Sequence, residues 1–167
     1  PTGTVVIEFG EGTDTLDLTD SAGNNAIDVS GANLTLTGLE NIKIAGTGAT
    51  FNGSTLNGQK YTILGTSGST DTITVNASGT ADENIDLSGL TVTDSVSTGI
   101  KGAIIAGNDG INVIAGTSRN DEITAGKGND TINLSSGGND TVIFNTVATN
   151  GNDTIIGFTA GTDSVTK

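Results

Sequence analysis

Five Asn-Asp dipeptides recur in the last third of the chain: Asn108-Asp109, Asn120-Asp121, Asn129-Asp130, Asn139-Asp140 and Asn152-Asp153. Two residues after each Asp stands one aliphatic: Ile111, Ile123, Ile132, Val142 or Ile155. A carboxylate at a polar turn offers hard oxygen ligands, and the glycines at Gly126, Gly128, Gly137 and Gly138 let the backbone reach positive φ and turn carbonyls toward the same point. Carboxylates plus carbonyls, without His or Cys, make the oxygen cage that calcium takes with its six to eight ligands and tolerant geometry. Magnesium, which demands tight octahedral geometry, suits such a site less well. A single Asn-Asp-x-Ile reads as a turn feeding a strand. Five of them, with flanking glycines and a nine-residue step from Asp121 to Asp130, read as repeated calcium turns.

Stacked coils must hold these turns together. In a two-stranded coil the turns alternate sides, so every second turn shares an edge. That expectation groups Asp121 with Asp140, and Asp109 with Asp130 and Asp153. The Asn of each pair is expected to hydrogen-bond its turn and to sit in the left-handed region. Aligned carboxylates without an ion repel each other by about 4 kcal/mol at roughly 4 Å and an effective dielectric near 20, comparable to a small domain's whole stability. The roll should therefore loosen without calcium. The block Ala125-Gly126-Lys127-Gly128-Asn129-Asp130-Thr131-Ile132-Asn133 fits a glycine-rich nonapeptide with only its first glycine replaced. Glycine is absent at 117, 119 and 125, so Asp109 and Asp121 rank below Asp130 and Asp140 as ligands.

The elements that carry these turns are short strands. Residues 1–100 alternate aliphatic runs (5–8, 15–18, 26–29, 34–36, 42–44, 61–64, 73–75, 85–87 and 91–92) with Gly, Ser, Thr and Asn turns at an all-β spacing. Helical turns are conceivable only at Asp20-Ser21-Ala22 and near Glu83. Asn52-Gly53 and Asn57-Gly58 are favoured pairs for tight type I′ turns, which predicts an antiparallel hairpin excursion over 45–64. The expected fold is all-β: a right-handed parallel β-roll or β-solenoid with short irregular strands. Residues 1–100 would form an irregular Thr/Gly-rich β-solenoid, with a small β-sandwich as the alternative. Residues 101–167 would form the calcium roll and its capping segment.

Composition agrees with a thin core. Aromatic residues make up 3% of the chain and Met, Trp and Cys are absent, so Ile, Val, Leu and Ala must fill the interior. One inward aliphatic per strand is enough for a solenoid but leaves a thick sandwich hollow. A formal charge of −13 repels phosphate backbones, which argues against nucleic acid. No apolar run approaches a membrane span. The lack of His and Cys removes Ser-His and Cys-His nucleophiles and most transition-metal chemistry. An enzyme is the least expected class.

The stretch 107–145 resembles the RTX, or hemolysin-type calcium-binding, repeats of bacterial secreted proteins. Its closest matches are Gly128-Asn129-Asp130-Thr131-Ile132 and Gly138-Asn139-Asp140-Thr141-Val142, and residues 151–163 look like the segment that often caps such rolls. The resemblance implies calcium at the Asp positions, type I secretion by an uncleaved C-terminal signal, and an extracellular or cell-surface destination. The texture of 34–44 is similar to bacterial surface-layer (S-layer) proteins and large adhesins. The expected role is thus a calcium-dependent structural module of a secreted surface-layer protein, self-associating in a lattice. The alternatives are an adhesin module that binds a glycan or cell-surface polysaccharide, and the noncatalytic C-terminal module of a secreted enzyme. The start at Pro1-Thr2-Gly3, with no signal peptide, suggests a fragment of a longer protein.

Overall fold

The computed structural model describes residues 4–19, 26–31, 33–46, 48–66, 71–93, 102–145 and 150–167. All strand pairing among them is parallel, and the chain winds as a solenoid in two styles. In the first, each coil lays down three elements. Strands β1 (Thr4–Glu8), β2 (Thr15–Leu18) and β3 (Ile27–Asp28) form the first coil; β4 (Asn33–Thr37), β5 (Asn41–Ile44) and β6 (Ala49–Asn52) form the second. The third coil opens with the helical turn α1 (Gly53–Leu56), followed by β7 (Thr62–Leu64) and β8 (Ile73–Asn76). The fourth has β9 (Glu83–Asp86), β10 (Thr91–Thr93) and β11 (Ala103–Ala106). After β11 each coil keeps only two strands: β12 (Asn112–Ala115) with β13 (Glu122–Thr124), β14 (Thr131–Asn133) with β15 (Thr141–Ile143), and β16 (Thr154–Ile156) with β17 (Ser164–Thr166).

One seven-stranded sheet, β3-β6-β8-β11-β13-β15-β17, runs through both styles. Opposite it, β9, β12, β14 and β16 form a second sheet, while β2, β5, β7 and β10 make the third side of the wide coils and stop there. The repeat length records the narrowing. Asn108 bonds back to Ser78, 30 residues earlier, whereas Ala103 and Asp121 meet at a separation of 18. Eighteen residues are two nonapeptides, one per strand and turn.

Alternation explains the packing. From β9 to β15, every strand of the long sheet and of the sheet facing it sends one aliphatic inward: Ile105, Ile123 and Val142 from the long sheet, and Ile85, Ile114 and Ile132 from the facing one, all fully buried. Their neighbours point outward, as period-2 geometry requires. The wide coils have more space to fill, and the two buried aromatic residues are both there. Phe51 is enclosed, and the Tyr61 hydroxyl donates to the Leu36 carbonyl at 3.1 Å.

The antiparallel hairpin expected over 45–64 does not form. β6 pairs in parallel with β3 and β8, and β7 pairs in parallel with β5 and β10. Gly53 is needed for space, not for positive φ: an added Cβ there would lie 2.6 Å from Glu83 Oε1 and 2.9 Å from Ile85 Cγ1. The segment 53–56 instead makes one helical turn that fills the place of a strand between β4 and β9. Gly and Thr are weak helix formers, so tertiary contacts hold it: Leu56 is fully buried and Thr55 Oγ1 donates to the Leu34 carbonyl at 3.2 Å. The helical turn considered near Glu83 is absent, since Glu83 opens β9. Asp20-Ser21-Ala22 lies outside the described residues.

Candidate metal centres

Two corners of the narrow coils carry the repeated turns. At the corner entering the long sheet, strand register places Ala103, Asp121, Asp140 and Asp163 one above another. Each carboxylate reaches back one coil. Asp121 Oδ1 accepts the Ala103 N–H at 2.6 Å, Asp140 Oδ1 accepts the Asp121 N–H at 2.9 Å, and Asp163 Oδ1 accepts the Asp140 N–H at 3.0 Å. At the corner entering the facing sheet the column is Glu83, Asn112, Asp130 and Asp153. Asp130 Oδ1 accepts the Asn112 N–H at 2.8 Å and Asp153 Oδ1 accepts the Asp130 N–H at 2.9 Å.

The Asn of two pairs works in the opposite direction, while Asn108 Oδ1 accepts the Gly110 N–H of its own turn at 2.8 Å. Asn120 Oδ1 accepts the Asn139 N–H and Asn129 Oδ1 accepts the Asn152 N–H, each at 2.9 Å. Asn120-Asp121 and Asn129-Asp130 thus each grip the coil before them through Asp and the coil after them through Asn. The expected left-handed Asn is not seen, because among the described residues only glycines have positive φ.

The grouping of Asp121 with Asp140, and of Asp130 with Asp153, is what the structure shows. Asp109 does not join them. Its side chain is half exposed on the outside of the turn and pairs with the Lys127 ammonium, while Asn112 takes the place in the column. The aliphatic expected to turn inward, Ile111, is exposed, and Ile114, two residues beyond Asn112, is buried instead. The repeat at this position is therefore offset by three residues. Sequence reasoning left out Asp163, although Asp163-Ser164-Val165 keeps the Asp-x-aliphatic signature without the Asn.

Glycine sets how closely the turns stack. Gly126, Gly128, Gly137 and Gly138 have φ of +106°, +107°, +97° and +115°. A Cβ at Gly126 would run into the Asn108 carbonyl, at Gly128 into that of Gly110, and at Gly138 into that of Arg119. A Cβ at Gly137 meets nothing, so that glycine serves the turn's backbone alone. The close approach brings peptide oxygens of adjacent coils beside the carboxylate columns.

The electrostatics are those of carboxylates held out of water without cationic partners. Burial pushes Asp121 up to about 7, against the lowering effect of its bonds from Ala103 and Thr117, with the charge of Asp140 adding to the rise. Burial likewise raises Asp130, helped by Asp153, and Asp140, helped by Asp163. Asp130 Oδ2 is buried with no hydrogen-bond partner. A bare carboxylate oxygen beside stacked carbonyls fits an oxygen-coordinated cation; the cage would combine carboxylates with peptide oxygens, since no group of three acidic side chains forms among the described residues.

The profile of the RTX calcium-binding nonapeptide repeat matches residues 106–142 in four copies. Comparison with curated proteins and with solved structures gives no match. The segment 106–142 is a run of RTX repeats and the chain contains a calcium-binding module. Among the described residues no helix is long and apolar enough to cross a membrane.

Proposed function

We propose that the chain is a calcium-dependent structural module of a secreted bacterial surface-layer protein, in which calcium drives folding outside the cell and assembly into a lattice. The observation that carries this reading is the position of the carboxylates. Asp121, Asp140 and Asp163, and likewise Asp130 and Asp153, lie on the contacts between successive coils. An ion bound there acts on the joint between coils, so its effect is on the rigidity of the rod.

Calcium held by Asp121, Asp130, Asp140 and Asp153 with the carbonyls of the glycine turns would supply positive charge to a column that has none. Extracellular modules bind calcium at about 0.1–1 mM, which is met outside cells and not in cytosol. A chain that stays loose during export and sets on reaching calcium follows from that difference. RTX repeats are typical of secreted proteins, which supports the extracellular placement.

A noncatalytic role is supported by the side chains available: the chain has neither His nor Cys, and the buried carboxylates of Asp121, Asp130 and Asp140 each accept a backbone N–H of the preceding coil. Electron microscopy across a calcium titration tests the proposal, with ordered sheets expected at millimolar calcium and their loss on chelation. A protein that remains monomeric in calcium and is retained on a glycan array would replace the lattice reading with an adhesin.

A further inference from the structure

We infer that Asn112 is an oxygen ligand in its column, between Glu83 and Asp130, so that the ion between the 107–112 and 125–130 turns is held by one carboxylate, that of Asp130, and a neutral amide. The inference rests on calcium binding by the repeats and is independent of the surface-layer proposal.

Asn112 is fully buried, and its orientation is fixed by its own amide hydrogens. Nδ2 donates to the Gly110 carbonyl at 2.8 Å and to Asn108 Oδ1 at 3.1 Å, with Asp130 Oδ1 at 3.5 Å. Reversing the amide would set an acceptor against two acceptors. Oδ1 is thereby left buried with no donor, and Asp130 Oδ2 in the next coil is in the same condition. Leaving a buried acceptor unsatisfied is costly, and two of them in register partners of adjacent coils call for a shared positive group.

The other column contrasts with this one. Both oxygens of Asp121 are satisfied, Oδ1 by Ala103 N–H and Thr117 Oγ1, Oδ2 by the Thr117 N–H. Seven buried side-chain oxygens lack partners among the described residues, and five of them (Asn52, Glu83, Asn112, Asp130 and Asn150) belong to the corner that contains Asn112. Asp109, turned outward to Lys127, leaves the ligand position to the amide.

Ligand charge count tunes calcium affinity, so a site with one carboxylate is the weakest of the set and gains most from a second. Calorimetric calcium titration of the 167-residue chain, with terbium luminescence as a second readout, tests this on Asn112→Asp, Asn112→Ala and Asp109→Asn. Asn112→Asp should tighten the weakest ion by about tenfold or more, lower the melting temperature in chelator and raise it in calcium. Asn112→Ala should lose that ion, and Asp109→Asn should leave the isotherm unchanged. Should Asn112→Ala fail to fold, Asn112→Asp alone decides. If Asn112→Asp shifts no affinity, or destabilises equally with and without calcium as an amide bound to a buried water would, the inference is overturned. Loss of an ion in Asp109→Asn overturns it too.

Discussion

Asp140 Oδ1 accepts the backbone N–H of Asp121 at 2.9 Å, while the carboxyl of Asp121 is itself turned back onto Ala103. Each acidic group is thus both a cap for the coil before it and a negative neighbour for the next. The bonds orient the column, and burial makes its charge unfavourable.

Stability without calcium should therefore fall as pH rises. Asp121 is raised from 3.8 to about 7 by burial, with Asp140 contributing, so between those values the folded chain holds a proton that the unfolded chain has released. The stabilisation is fully present below about pH 4 and is lost on rising through pH 7, amounting to roughly 4 kcal/mol for Asp121 alone. Asp130 and Asp140 shift in the same direction. Melting in chelator should be higher at about pH 5 than at about pH 7.5, and calcium should raise it more at the higher pH. A melting temperature in chelator that climbs over this interval would contradict the buried-carboxylate account.

Two glycines side by side separate space from backbone strain. Ala at 138 must both hold φ near +115° and displace the Arg119 carbonyl, whereas Ala at 137 meets nothing within 4 Å and bears only the φ penalty. Gly137→Ala should cost about 1–2 kcal/mol and Gly138→Ala clearly more, with part of the difference appearing as weaker calcium binding. Urea unfolding in calcium measures both, and equal costs would show that the turns do not stack as closely as described.

Much of the fold is legible in the residues. Strands such as β2 and β5 announce themselves through Leu16, Leu18, Ile42 and Ile44, because alternate aliphatics on a half-buried strand are a local property. The pairings Asp121 with Asp140 and Asp130 with Asp153 follow from alternate turns sharing an edge. What escapes is register set from a distance. Asn112 takes the place of Asp109 because β12 aligns with β9, 29 residues earlier, as the bond from Asp86 N–H to Asn57 Oδ1 also spans 29; the nine-residue step back from Asp121 falls on Asn112 too, but the Asn-Asp dipeptide at 108–109 masks it. Asn52-Gly53 misleads for the same reason, since Glu83 and Ile85 of the following coil dictate glycine there.

The register of the first repeat has its own test. Ile114 is fully buried and Ile111 is half exposed, although the Asn-Asp spacing favours Ile111 as the inward residue. Ile114→Ala should cost about 2–5 kcal/mol and Ile111→Ala no more than about 0.5 kcal/mol. Chemical denaturation of the two variants discriminates directly, and a larger loss for Ile111→Ala would restore Asp109 to the column.

Among the described residues, the change from three-sided to two-sided coils leaves β10 at the edge of its sheet, and the Arg119 side chain reaches it. Arg119, in the turn after β12, donates Nε and Nη2 to the Val92 carbonyl at 3.3 and 3.2 Å. That carbonyl would bond the next strand of the sheet if the wide coil continued, so the guanidinium replaces a missing strand at one rung. Its charge also discourages another chain from pairing there, as charged groups on sheet edges do. A charge-assisted hydrogen bond is worth about 1.5–3 kcal/mol, and Arg119→Ala should lose stability of that order, with Arg119→Lys recovering only part because an ammonium lacks the planar fork. Faster amide exchange near Val92 and concentration-dependent association should accompany Arg119→Ala. A variant with unchanged stability that stays monomeric would mean that the edge at β10 is protected by other contacts.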